Sequence, residues 1–419
     1  MTPDIQAPRG TQDILPDEQP WWDYVRDTAQ RLCGEFRYAQ IDTPMFEDVA
    51  LFRRTVGDTT DIVQKEMYVF KDRGDQELAL RPEGTAPVCR AYIEHGMHNQ
   101  PQPVRLFYIT PIFRYDRPQA GRYRQHHQFG IEAIGDASAS ADAETIEMLW
   151  RLYEELGLTE LTLNLNSIGD ADCRPLYLEA LRAYYADKLG RVCRDCQARV
   201  EHNPLRLLDC KNAECQDVIA GAPAFTDYLC EACGDHFSQV RGYVESLGIP
   251  HVVNPRLVRG LDYYTRTVYE VQPVEEGGQS TVGGGGRYDR LIEQIGGRPT
   301  PGVGFATGIE RIILNMKRQD VRLPDASQLD VFVVCASAAA RVFAFKLASD
   351  VRRAGLSAVV GDSTRSLKAQ MRHAGSLDAA YAAIIGDREL ESDSVTLKRL
   401  ADGSQETVPI GDVASRVQA

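Results

Sequence analysis

Hydrophobic periodicity predicts a helix soon after Pro16, where Trp22, Val25, Ala29, Leu32 and Phe36 recur three and four apart as one apolar stripe. A strand-like entry over residues 41–44 precedes an amphipathic stretch at 46–56. Residues 67–70 and 78–80 then read as strands, the second running into the turn Arg81-Pro82-Glu83-Gly84-Thr85. Residues 104–114 and 128–134 are rich in β-formers and flank a polar, arginine-bearing loop with Pro118 and Gly121. That is the pattern of an antiparallel hairpin with a long tip. Pro111 has no N–H for a ladder, so its strand must be an edge there or carry a bulge. Helical spacing returns over 141–156 through Ile146, Leu149, Trp150 and Tyr153. Strands resume at 268–271 and 281–282, the second followed at once by the glycines 283–286. Gly302 to Gly308 leads into a helix over 309–316.

A polar linker over 318–329, with Pro324, separates this region from another pattern. There an apolar strand (331–334), a helix (338–354), a strand (357–360), a helix (367–373) and a buried strand (381–385) alternate. This predicts a small α/β domain with a largely parallel sheet. Residues 190–250 differ again, mixing helical segments with crowded cysteines, and read as an insertion. A chain of 419 residues is too long for one core. The expected division is a core in two parts, 1–190 and 251–320, an inserted, cysteine-rich, largely helical domain at 191–250, and a C-terminal domain at 328–419.

Composition is that of an ordinary globular protein, with 43% hydrophobic and 26% charged residues. No segment approaches the run of about eighteen apolar residues that spans a bilayer, and residues 1–16 show no secretory pattern. The expectation is a cytoplasmic protein without a membrane partner. A net charge of −13 argues against a protein that coats nucleic acid non-specifically. It leaves room for a structured RNA, because Arg105, Arg114, Arg117, Arg122 and Arg124 form a local basic surface with only Asp116 against it. Six of the ten cysteines lie between 193 and 233. The two C-x-x-C pairs, Cys193 with Cys196 and Cys230 with Cys233, have the spacing of a thiolate zinc site. Cys210 and Cys215 leave more candidates than one ion needs, and reduced thiols are the other reading.

Three segments carry candidate chemistry. Leu257 to Tyr264 places Arg259, Gly260, Asp262, Tyr263 and Tyr264 together, an inventory suited to a polar aromatic zwitterion beside a phosphate, though strand ends also use it. In Gln128-Phe129-Gly130-Ile131-Glu132 a strand puts Gln128 and Glu132 on one face, with Gly130 leaving space between them, while Phe129 and Ile131 enter the core. The glycine run 283–286 lacks the Lys-Ser/Thr of a P-loop and the spacing of a dinucleotide turn. It reads as a flat backbone surface on which a ligand can lie.

Taken in order, Pro8-Arg9-Gly10-Thr11-Gln12-Asp13, residues 41–70 around Pro44, Phe113-Arg114-Tyr115-Asp116-Arg117-Pro118 with Gly121-Arg122-Tyr123-Arg124-Gln125, Arg259 to Tyr264, Gly285 to Asp289 and Gly302 to Arg311 resemble the signatures of class II aminoacyl-tRNA synthetases. Specifically, the chain resembles bacterial-type histidyl-tRNA synthetases over nearly its whole length. The resemblance implies an α+β catalytic core with a mixed, mostly antiparallel sheet, a homodimer through the first motif (41–70), and a C-terminal α/β anticodon-binding domain. It implies activation of L-histidine by ATP with Mg2+, followed by transfer to the 3′ end of tRNA(His). Arg114 would grip the α-phosphate and carboxylate, Arg259 the reacting phosphate, and Arg311 the γ-phosphate. Glu83 and Thr85 with Gln128 would meet the ammonium of histidine, and Glu132 and Tyr264 its imidazole. Gly84 and Tyr263 would line the same site, and Tyr288 would add a wall. Gln119, Arg122 and Arg124 in the hairpin tip would meet the tRNA, as would Arg365 and Lys368, which with Arg372 lie at helical spacing. Two other functions fit parts of the pattern: a histidine-sensing regulatory paralogue that partners ATP phosphoribosyltransferase, and a synthetase for another amino acid such as proline or threonine. The intact Arg114, Arg259 and Arg311 set and the extra C-terminal domain favour the histidine enzyme over the first, and Glu132 with Tyr264 over the second.

Overall fold

The computed structural model describes residues 5–57, 60–119, 121–274, 281–324 and 328–418. Residue 120 of the hairpin tip and residues 325–327 of the linker therefore lie outside the described residues. The chain forms two compact units, residues 1–323 and 324–419.

In the first unit, α1 (Gln19–Glu35) buries Trp22, Val25, Ala29 and Leu32, the stripe that periodicity marks out. β1 (Ala39–Gln40) is followed by β2 (Phe46–Asp48), α2 (Val49–Val56), β3 (Val69–Lys71) and β4 (Glu77–Leu80), and β2, β4 and β3 make a small three-stranded sheet. α3 (Thr85–Glu94) leads to the long hairpin β5 (Val104–Phe113) and β6 (Gln125–Ile134). Pro111 pairs with His127 without a bulge. β1 covers the other side of β5 only at Leu106 and Phe107, so Pro111 stands at a local edge. There its carbonyl accepts from Arg81 Nε at 2.9 Å.

Next come α4 (Ala139–Glu155), β7 (Leu161–Ser167) and α5 (Arg174–Tyr185). The insertion's α6 (Arg194–His202) and α7 (Ala213–Ala220) follow, then α8 (Glu231–Ser246) and β8 (His251–Val253). The unit closes with β9 (Thr265–Pro273), β10 (Gly283–Arg287), α9 (Leu291–Gln294), β11 (Gly302–Gly308) and α10 (Ile309–Arg318). The main sheet has eight strands in the order β1-β5-β6-β11-β10-β9-β7-β8. All its pairings are antiparallel except β1 with β5 and β7 with β8.

β7 was not among the predicted strands. Its Leu161, Leu163 and Leu165 are buried and alternate with Thr162 and Asn164, the period of a strand with one wet face. α5, α6 and α7 share a core of Tyr177, Leu181, Val200 and Ile219, whereas α8 sends Phe237, Val240 and Val244 into the core beneath the main sheet. Among the described residues, no helix is long and apolar enough to cross a membrane.

The second unit holds β12 (Leu329–Cys335), α11 (Arg341–Arg353), β13 (Ala358–Val360), α12 (Leu367–Ser376), β14 (Ala379–Ile385), α13 (Asp387–Glu391), β15 (Ser394–Arg399), β16 (Gln405–Pro409) and α14 (Val413–Gln418). The sheet order is β13-β12-β14-β15-β16, parallel through β14 and antiparallel beyond it. The largely parallel expectation thus holds for three of five strands. The antiparallel pair comes from Val395 and Leu397 alternating with polar neighbours before the turn at Asp402-Gly403.

Candidate active site

The antiparallel strands lay their polar faces toward one cavity of about 850 Å³. Among its lining residues are Arg114, Arg259 and Arg311, from three distant segments of the chain. Glu83, Gly84, Thr85, Gln128, Glu132, Tyr263, Tyr264 and Tyr288 also line it.

Glu132 is the centre of the polar wall. It sits on β6 with 1% of its surface exposed, accepting from Thr85 Oγ1 at 2.7 Å, from Tyr288 Oη and from Tyr108 Oη at 3.3 Å. Its register partner on β11 is Gly304, where a Cβ would stand 2.2 Å from the Glu132 carboxylate. Burial pushes the Glu132 carboxyl up to about 8, aided by the neighbouring Glu83 and opposed by the hydroxyls of Tyr288 and Thr85. The space above Gly130 is not empty: Tyr108, its register partner on β5, lays its ring there, 2.4 Å from where a Gly130 Cβ would be. The same ring covers Gly84. Tyr108 is therefore a wall of the pocket that the sequence reading missed; its signal was a buried-strand tyrosine facing two glycines.

Glu83 holds the start of α3, accepting the backbone N–H groups of Thr85 at 2.7 Å and Ala86 at 2.8 Å. Tyr263 Oη donates to it at 3.5 Å. Gln128 Oε1 is buried with no hydrogen-bond partner. A buried acceptor left unpaired is costly, and here it borders the cavity, where a ligand's ammonium can supply the donor. His126, also lining the cavity and also missed, is pushed down to about 3 by burial and by the cations Arg114 and Arg311.

The arginines are held by their surroundings. Arg114 Nε donates to the Pro82 carbonyl at 2.7 Å. Arg259 pairs with Glu270 of β9 and lies over the Tyr264 ring at 5.8 Å, while its Nε is buried without a partner. Arg311, in the first turn of α10, donates to the carbonyls of Gly121 at 3.0 Å and Thr281 at 2.5 Å. Of the glycine run, Gly284 and Gly286 face Arg259 and Tyr264, whereas Gly283 and Gly285 press on Tyr153 and Phe305. A ligand floor at Gly284 fits this alternation.

Other expectations fare differently. Within Gly285 to Asp289 only Tyr288 lines the cavity. Arg287 turns away, fully buried, and binds Asp142 at 2.7 Å and Asp289 at 3.0 Å. Arg122 lines the cavity and pairs with Asp116. Arg124 stacks over Tyr115 at 3.8 Å and packs on Gly10, and Gln119 closes a bridge with Arg122. Lys368 and Arg372 are exposed on α12, but Arg365 is not helical: Ser366 caps the helix and Asp362 draws the Arg365 side chain to 3.5 Å.

The zinc set needs correction. Cys193 and Cys196 do not meet Cys230 and Cys233. They meet Cys210 and Cys215, because the chain doubles back between α6 and α7. Cys230 and Cys233, opening α8, lie instead with Asp170 and Cys173 after β7.

An arginine-lined cleft on a mostly antiparallel sheet, entered by a long hairpin and followed by a separate α/β unit, is the arrangement of class II aminoacyl-tRNA synthetases. A family profile described as "Histidyl-tRNA synthetase" matches residues 10–312, and one described as "Anticodon binding domain" matches 330–419. The chain is 54% identical over 413 residues to a histidine–tRNA ligase of Dehalococcoides mccartyi, covering 99% of both chains. It is 50% identical over 406 residues to that of Pelotomaculum thermopropionicum, covering 97% of this chain and 96% of the relative. A crystal structure of apo histidyl-tRNA synthetase from Staphylococcus aureus superposes with TM-score 0.85 at 38% identity, covering 99% of this chain and 100% of that one. The chain belongs to the histidyl-tRNA synthetase family.

Proposed function

We propose that the protein is a histidine–tRNA ligase of the cytoplasm, activating L-histidine with ATP and charging tRNA(His). The observation that carries this reading is the convergence of Arg114, Arg259 and Arg311 on one cavity whose opposite wall is Glu132. The histidine carboxylate attacks the α-phosphate, pyrophosphate leaves, and the terminal ribose of tRNA then takes the histidyl group from the adenylate. Charge gathers on phosphate oxygens in the first step, so fixed guanidinium groups aimed at them do most of the work. Arginine suits the task because its planar fork binds two oxygens and keeps its proton. Arg114 bridges the carboxylate and α-phosphate, Arg259 stabilises the reacting phosphate, and Arg311 meets the γ-phosphate. Mg2+ enters with ATP as part of that substrate.

Glu132 accepts an imidazole N–H, and the unpaired Gln128 Oε1 with Glu83 and Thr85 receives the ammonium. Arg122, at the cavity rim, and the exposed Lys368 and Arg372 offer cations to RNA phosphates. A homodimer is supported by the small sheet, which leaves Phe46 and Phe70 exposed edge to face at 6.3 Å, with Met45 and Val69 beside them. Such a patch calls for a cover. Histidine-dependent exchange of pyrophosphate into ATP tests the reading. No exchange would instead mark a regulatory paralogue, and exchange with a different amino acid another synthetase.

A further inference from the structure

We infer that the insertion carries a structural zinc ion bound by Cys193, Cys196, Cys210 and Cys215. The four sulfurs all lie within 4.8 Å of one another. Cys193 Sγ is 3.8 Å from Cys210 Sγ, and Cys196 Sγ is 3.9 Å from Cys215 Sγ. Four thiolates at about 2.3 Å from one tetrahedral ion stand roughly 3.8 Å apart, whereas a disulfide requires about 2.05 Å. The spacing observed excludes a disulfide and fits the edges of a thiolate tetrahedron. A soft set of four sulfur donors suits zinc and disfavours the oxygen-seeking magnesium, calcium and manganese.

The surroundings fit a thiolate cluster. Backbone N–H groups point at the sulfurs, Cys193 N–H to Cys215 Sγ at 3.2 Å and Asn212 N–H to Cys210 Sγ at 3.5 Å. Cys196 and Cys215 are buried, so the ion would be shielded on one side. The local elements are short, α6 of nine residues and α7 of eight, and segments of that size are commonly held by a metal or disulfides. The second group, Asp170 with Cys173, Cys230 and Cys233, is weaker. Its carboxylate already accepts from Arg266 at 3.3 Å and from the Asp172 N–H at 3.1 Å, so it is left outside the proposal.

The cluster adjoins the active-site cavity. Asp209, Lys211 and Gln216 line the active-site cavity, and each is the chain neighbour of a ligand, Cys210 or Cys215. An ion there would hold the loop on which Lys211 stands beside the cavity.

Full-length protein, expressed with zinc and purified without chelator, is the material for the test, read by elemental analysis. Cys210→Ser with Cys215→Ser should lose one zinc equivalent per chain relative to the wild type, and Cys230→Ser with Cys233→Ser should keep that equivalent. In cobalt-loaded protein the thiolate-to-metal charge-transfer absorption should vanish in the first variant alone. Equal metal content in the wild type and the first variant overturns the proposal, as does loss confined to the second. Should the first variant not fold, a mercurial thiol reagent should release one zinc equivalent from the Cys230/Cys233 variant. Release of none sinks the idea.

Discussion

Arg259 is the residue on which the proposed chemistry leans most, and its environment says why. It is held by Glu270 and Tyr264 while its Nε stays buried without a partner. A preorganised cation of this kind acts on charge that develops in the transition state. Arg259→Ala should slow histidine-dependent pyrophosphate exchange about 10²–10³-fold. Histidine affinity, measured by equilibrium binding, should change little. Comparable losses in both would reassign Arg259 to ground-state binding.

Glu132 gives a second prediction, in pH. Its folded value of about 8 lies above the ordinary 4.5, so the native state binds the extra proton between those limits. Its contribution to stability therefore falls as pH rises through that window. His126 works the other way, with about 3 against an ordinary 6.5, adding stability as pH rises until 6.5. Above pH 6.5 the Glu132 effect stands clear of that opposition. Denaturant unfolding of the unliganded wild type should show a loss of about 1–2 kcal/mol between pH 6.5 and pH 8. Glu132→Gln should flatten that slope, and an unchanged slope would mean another group titrates there.

At the scale of elements, the small sheet of β2, β4 and β3 exposes its aromatic pair. On the proposed homodimer, Phe46→Asp with Phe70→Asp should yield a monomer where the wild type sediments as a dimer; a monomeric wild type would overturn the dimer, and a dimeric variant would place its interface elsewhere. Legibility divides here as well. The helices α1 and α4 were readable because one face is apolar at a fixed period, and the hairpin β5–β6 because two runs of β-formers flank a polar tip. Glu132, Gln128 and the three arginines were readable through their ordered strings. Tyr108 and His126 were not, since a tyrosine in an apolar strand looks like core until the facing glycines are known. Arg287 stands in a signature without lining the cavity, bound to Asp142 across the fold. The cysteines failed for a topological reason: C-x-x-C spacing says which thiols are local, and the return of the chain decides which pairs meet.

For the whole molecule, each unit has its own core, the second built on Val331, Val333, Leu347, Ile385 and Leu397. A protein ending at Leu323 should fold and keep pyrophosphate exchange, while aminoacylation of tRNA(His) should fall by orders of magnitude. Equal retention of both activities would remove the C-terminal unit from RNA recognition.

The bonds from Arg311 to the carbonyls of Gly121 and Thr281 have an outcome of their own. An incoming triphosphate that attracts this guanidinium competes with the latch that pins the tip of the β5–β6 arm. On the proposed γ-phosphate role of Arg311, binding the nucleotide would thereby also slacken its hold on Gly121 at the tip of that arm.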